Sequence, residues 1–403
     1  MMKVSPSSIT RVVLSLAAIA SAHPTRKCTD VTVEVPVVSR NAVFNLTAPK
    51  SNIDVTNFVL DLTRQGHNLT SEVLAGYAAT KNTYHVVGTY CEPHSGPSST
   101  IQLLTHGIGF DRSYWDVPIN NYNYSYVTRA VDNGYSTFAW DRLGIAQSQH
   151  GEAVNEIQSY LEIAALHSLT NLLREGSIDE INSGFDKVVH IGHSFGSVQS
   201  YSLAVLYPGA SDGLVLTGFS QASQFIPYFG LGGNFVLANG LPSFKNYSDG
   251  YLAAGDETGV QTNFFAPGQF DPALLDWAYA AGKPVTVGEL LTFFGATAFE
   301  NPLTGPVLII TGGEPENKTA AETANDADNN IVGRDIPFCG GDCLLTGDPA
   351  LSNFLELSRP LFPATSKFEA VVVDEAGHGL NLEYSHQLTY SKILSFITQN
   401  IGL

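Results

Sequence analysis

Six short apolar runs, separated by stretches with helical spacing or by turn residues, leave this chain few ways to fold. They are Ile101 to Thr105, Tyr135 to Trp140, Lys187 to Ile191, Gly213 to Thr217, Val307 to Thr311 and Phe368 to Val373. Runs that are apolar throughout, instead of alternating, suit strands buried on both faces, and such strands are parallel with helices laid over them. The pattern predicts an α/β fold, a mostly parallel twisted sheet flanked by helices. The clearest helix runs from about Glu152 to Arg174, where Ile157, Leu161, Ala164, Ala165, Leu169 and Leu172 recur at helical spacing, and Gly176 ends it.

With 403 residues the chain is long for one core, and one stretch breaks the alternation. From Ser220 to Asn301, Gly and Pro punctuate short pieces rich in aromatics (Phe225, Tyr228, Phe229, Phe264, Phe265, Trp277, Phe293, Phe294) and poor in charge. This reads as a helical cap, residues 220–301, inserted between a first core part (23–219, with an N-terminal extension) and a second (302–403). Cap aromatics suit an apolar substrate portion, and they also serve simply to hold cap helices together.

The start of the chain reads as an export signal, residues 1–22. Lys3 and Arg11 precede the apolar run Val12 to Ala20, and Ala20-Ser21-Ala22 fits a cleavage site after Ala22. The run is about half the roughly 20 apolar residues that a membrane span needs. Export predicts paired cysteines, and Cys28, Cys91, Cys339 and Cys343 form an even set with three possible pairings. By spacing, Cys339 with Cys343 is a local staple, which leaves Cys28 with Cys91. A zinc site needs short Cys or His spacings in both pairs, which Cys28 and Cys91 lack, so no metal is expected. Asn45, Asn68, Asn123, Asn246 and Asn317 stand in Asn-x-Ser/Thr acceptors. The net charge of −18 speaks against nucleic acid and anionic membrane as partners.

Gly192-His193-Ser194-Phe195-Gly196 follows the run ending at Ile191 and precedes a helical pattern through Tyr207. A serine on a sharp strand-to-helix turn is held in a strained backbone geometry with its hydroxyl exposed, and side chains at Gly192 or Gly196 would collide with nearby backbone. Gly209-Ala210-Ser211-Asp212-Gly213 has the same spacing in the reverse context, helix to strand, so Ser211 reads as an ordinary loop residue.

With these features stand Leu104-Thr105-His106-Gly107-Ile108-Gly109, Asp141-Arg142-Leu143-Gly144 and Gly377-His378-Gly379-Leu380-Asn381, in that order along the chain. The chain thereby resembles the α/β-hydrolase superfamily over nearly all of its mature length, and within it the secreted fungal serine hydrolases with a cap. The resemblance implies Ser194 as nucleophile and His378 as base. It implies oxyanion donors at the amides of Phe195 and Ile108, with His106 and Gly107 shaping the second loop. His106 is expected to be a buried structural histidine, and Asp141 a turn residue paired with Arg142. The acid should follow the Val307 to Thr311 run, and here the chain departs from the pattern. The polar segment Glu314 to Gly333 intervenes before Arg334-Asp335-Ile336-Pro337-Phe338-Cys339. Removing it, as for a retained intron, would join Gly313 to Arg334, so Asp335 is the expected acid, with Glu314 and Glu316 the alternatives.

These readings predict a secreted serine hydrolase that cuts an ester, lactone or related acyl bond of a rather apolar small molecule. No cofactor, nucleic-acid partner or stable membrane insertion is expected. Acyl transfer or lactone opening in secondary metabolism, peptidase or amidase action, and a non-catalytic binding module on the same scaffold are the alternatives.

Overall fold

The computed structural model describes residues 26–313 and 335–403. The expected export signal (1–22), Glu314, Glu316, the expected acceptor Asn317 and the segment 314–333 lie outside the described residues. An eight-stranded sheet forms the centre. Its strands are β1 (Arg26–Phe44), β2 (Leu74–Pro93), β3 (Thr100–Thr105), β4 (Ser136–Trp140), β5 (Lys187–His193), β6 (Gly213–Thr217), β10 (Val307–Gly313) and β11 (Phe368–Asp374). Their order is β1-β2-β4-β3-β5-β6-β10-β11. From β4 to β11 every pairing is parallel, whereas β1 with β2 and β2 with β4 pair antiparallel.

All six apolar runs are strands of the parallel part. β3, β4, β5 and β6 are almost wholly buried, which is why they lack a polar alternation. On one face Ile101, Leu103 and Val188 pack with Leu161, Ala165 and Leu169 of the helix Ser159–Glu175. On the other, Leu104, Ile191 and Leu216 belong to the larger core that includes Tyr390 and Ile393 of the helix His386–Asn400.

Two differences from the sequence reading have physical causes. The helix expected from Glu152 begins only at Ser159, because the side chains before it bond to other backbone. Glu152 accepts from the Val154 amide at 3.0 Å, Asn155 from Phe44 at 2.7 Å and Gln158 from Ala42 at 3.0 Å, tying this turn to β1. Its end agrees, with Gly176 left-handed at φ 65°. The second difference is the long β1–β2 ribbon, where Val31, Val33, Val35 and Val37 are buried between exposed neighbours. A half-exposed ribbon has no continuous apolar run.

Residues 220–301 hold the helices Ile226–Gly232, Glu257–Phe264, Pro272–Ala280 and Val287–Leu291. They also hold a small antiparallel sheet that the sequence reading did not foresee, β7 (Phe235–Leu237), β8 (Tyr251–Ala254) and β9 (Val285–Thr286). The helix Asn52–Thr63, from the connection between β1 and β2, packs against Ile226–Gly232. No helix among the described residues is long and apolar enough to cross a membrane. Cys28 is bonded to Cys91 and Cys339 to Cys343. Asn45, Asn68, Asn123 and Asn246 are all exposed.

Candidate active site

β5 turns directly into the helix Phe195–Leu206, and Ser194 sits in the turn at φ 54°, ψ −117°, a conformation that side chains rarely adopt. Its amide is tied to the Thr217 carbonyl of β6 at 2.9 Å. A Cβ on Gly192 would stand 2.3 Å from the Gly196 carbonyl oxygen, and one on Gly196 would stand 2.2 Å from that of Thr105. The turn therefore closes only with glycine at both places. Ser211 lies in the loop between that helix and β6, donating to the Gly213 carbonyl at 2.8 Å and bonded to His190, which also contacts Thr170. It is a structural hydroxyl, as its helix-to-strand context indicated.

His378 is on the loop after β11 and fully buried, its ring near-parallel to those of Phe264 and Phe338 with centroids 5.7 and 5.6 Å away. Nδ1 stands 3.2 Å from Oδ1 of Asp335, an ion-pair distance although the two are not aligned for a linear hydrogen bond. Nε2 makes no hydrogen bond among the described residues. Asp335 is buried and accepts from the Thr311 hydroxyl of β10 at 2.5 Å and from the Phe338 amide at 2.9 Å. The chain thus returns to the end of β10 despite the intervening segment. The Cys339–Cys343 bond closes the loop that follows Asp335, and both sulfurs near the carboxylate are committed to it. Gly218, next to the residue that holds the Ser194 amide, leaves room for His378: a Cβ there would be 2.8 Å from His378 Cε1. Serine, histidine and aspartate therefore gather at the carboxyl ends of β5, β10 and β11.

Phe195 is the first residue of its helix, so its amide has no acceptor within the helix. Ile108 and Gly107 are in the loop after β3, and a Cβ on Gly107 would be 2.9 Å from Ser194 Cβ. His106 shapes this loop. Its Nδ1–H donates to the Gly107 carbonyl at 2.8 Å and its Nε2 accepts from the Arg142 amide at 3.1 Å, the bonding of a neutral ring. Burial, and then the Arg142 charge, hold its pKa well below the usual histidine range.

Asp141 does not pair with Arg142. Its carboxylate bonds the Arg112 guanidinium and, at 3.0 Å, the Arg112 amide. The side chain of Arg142 instead bonds Glu162 at 2.9 Å and Glu289 of the 220–301 segment, with its guanidinium 4.9 Å over the Phe195 ring. Neighbouring residues leaving a strand point to opposite faces, so adjacency in sequence argued against that pair.

Two site neighbours escaped the sequence reading. His193 is buried and stacks on Tyr114 at 4.3 Å, with its ring 4.9 Å from that of His378. Burial, then the His378 charge, keeps it neutral by pushing its pKa well down. Glu383 accepts from the amides of Ala266 at 2.8 Å and Gly377 at 3.3 Å, fastening the His378 loop to the 220–301 segment. Burial pushes its pKa well up. The middle position of the serine motif marked His193 for attention, whereas nothing in the sequence marked Glu383.

Beside the Ile108 and Gly109 loop lies a cavity of about 150 Å³ walled mainly by Phe229, Phe235, Val260 and Phe264. The serine itself is 3 % exposed.

The model of the alpha/beta hydrolase family matches residues 102–389, which spans every strand of the parallel sheet from β4 to β11 and most of β3. The chain is an α/β hydrolase. No curated protein matches it in sequence. Among solved structures it is similar to a thermophilic esterase from Thermogutta terrifontis, at 14% identity and TM-score 0.48, over 79% of this chain and 94% of that one. It is also similar to an α/β-hydrolase-fold protein from Chitinophaga pinensis (12% identity, TM-score 0.49, 78% and 94% covered). An esterase from Exiguobacterium antarcticum stands at 12% identity and TM-score 0.47, with 78% and 96% covered.

Proposed function

We propose that this α/β hydrolase is a secreted serine esterase that cleaves an ester or lactone of a small, largely apolar molecule, with residues 220–301 serving as its cap. The observations that carry the reading are the strained turn of Ser194 at the end of β5 and the His378–Asp335 pair, 3.2 Å apart, beyond the ends of β11 and β10. The cavity walled by apolar side chains beside Ile108 supports the substrate class. The leader-like first residues, the two disulfides and the exposed acceptor asparagines support export.

In this reading His378 takes the hydroxyl proton of Ser194 as Oγ bonds to the acyl carbon, and the carbonyl electron pair moves onto oxygen. The amides of Phe195 and Ile108 hold that oxyanion. Asp335 keeps the imidazole turned toward the serine and stabilises its charged form. Collapse of the intermediate expels the alcohol, which receives the proton from His378. A water then gives a proton to His378, attacks the acyl-enzyme and releases the acid and Ser194.

The test is labelling of the purified protein with a fluorophosphonate, beside Ser194→Ala and Asp335→Asn. Labelling of the parent, its loss in Ser194→Ala and slower labelling in Asp335→Asn are expected. A parent that takes no label and turns over no ester would overturn the reading.

A further inference from the structure

The glycines on either side of His378 do not serve backbone freedom. Neither lies in the left-handed region, and Gly379 has φ −85°. What they allow is closeness. A Cβ on Gly377 would stand 2.6 Å from the Ala266 nitrogen, and one on Gly379 would stand 3.0 Å from the Phe264 carbonyl oxygen. Hydrogen bonds join the two stretches. The Gly379 amide donates to the Phe264 carbonyl at 2.7 Å, the Ala266 amide to Glu383 at 2.8 Å and the Tyr384 amide to the Gln269 carbonyl at 2.8 Å. The His378 loop is therefore seated on residues 264–269, part of the 220–301 segment.

Phe264 is the centre of this seat. Its ring is near-parallel to that of His378, with centroids 5.7 Å apart and an angle of 23° between the planes. Phe110 and Phe229 meet it edge to face at 4.7 and 6.1 Å, which fixes its orientation. In the loop after β3, Gly109 makes way for its tip, since a Cβ there would be 3.3 Å from Phe264 Cζ. Phe264 also forms part of the wall of the apolar cavity.

His378 has no exposed surface. In the esterase reading its ring gains a proton as Ser194 reacts, so a positive charge forms where water cannot solvate it. An aromatic face beside a desolvated cation offsets part of that cost through the negative charge of its π-cloud.

We infer that Phe264 is a positioning residue for His378, whose loop it pins with its carbonyl and whose imidazolium it stabilises with its ring. This rests on the esterase reading above and deepens it. Residues 264–269 belong to the catalytic machinery, and access to Ser194 opens elsewhere than at this seat.

The test compares two substitutions on the helix Glu257–Phe264. Phe264→Leu keeps an apolar side chain and removes the flat ring. Val260→Ala, one turn earlier in the same cavity wall, alters the cavity and leaves the ring in place. kcat and KM are measured with p-nitrophenyl butanoate, beside the rate of labelling by a short-chain fluorophosphonate, and thermal melts check folding. Phe264→Leu should lower kcat by about tenfold, the worth of one aromatic face on a desolvated cation, and slow labelling to a similar extent. Val260→Ala should change KM with kcat nearly unchanged. Gly379→Ala, which crowds the Phe264 carbonyl and leaves the cavity alone, should also lower kcat, and it decides the matter if Phe264→Leu does not fold. An unchanged kcat in the deciding variant, or an equal fall in Val260→Ala, overturns the inference and leaves the esterase reading intact. A parent that neither turns over the ester nor takes the label overturns both.

Discussion

The Ser194 turn and the Asp335 loop are held in place by opposite means. Ser194 is held by backbone against backbone: Gly192 and Gly196 leave no room for a methyl, and the Thr217 carbonyl pins the amide between two buried strands. Asp335 arrives after a long polar excursion and is held by side chains, through the Thr311 hydroxyl, the Phe338 amide it caps and a five-residue disulfide loop. Steric fixation fails all at once, whereas fixation by individual bonds can be weakened in steps. The position of Ser194 is thus inseparable from folding, and that of Asp335 is adjustable.

Substitutions can break or sharpen that contrast. Gly196→Ala should destabilise the fold by about 4 kcal/mol or more, since the new methyl meets the carbonyl oxygens of Thr105 and His106, neither of which can move without disturbing β3. Denaturant unfolding is the check, and a stable, active Gly196→Ala protein would refute steric fixation. Asp335→Asn should leave the protein folded, because the amide oxygen can still cap Phe338, while kcat falls by a factor on the order of 10⁴ through loss of the charge that orients His378. Steady-state kinetics with a thermal melt separates the two effects. Removing the Cys339–Cys343 bond by paired serine substitution should cost roughly 2 kcal/mol, the value expected for so short a loop, with only partial loss of activity. Thr311→Val removes one bond to the carboxylate and should lower kcat by roughly tenfold or less, with KM unchanged. If it fell as far as in Asp335→Asn, the acid would depend on a single tether.

The same contrast explains what could be read from the sequence. Strands buried on both faces write themselves as continuous apolar runs, so the parallel half of the sheet, and with it the place of Ser194 and His378, was legible from residues such as Val188 to Ile191. Asp335 could be singled out only by setting aside an interrupting segment, because its bonds to Thr311 and Phe338 leave no periodic trace. The β1–β2 ribbon went unread, since Asp30, Thr32 and Glu34 alternate with valines and dilute the apolar signal. Arg142, Glu162 and Glu289 come together from three separate parts of the chain, and composition does not announce such a meeting.

That ribbon has a further consequence. Its valines repeat every second residue, so sliding β1 along β2 by two positions would keep the same faces inside and out, and the pattern by itself tolerates several alignments. Cys28 stands opposite Cys91 in only one of them, near the outer end of the ladder. The bond between these two cysteines acts as a key cut for a single alignment. It picks out one register of a ribbon whose alternating valines, taken alone, would suit more than one.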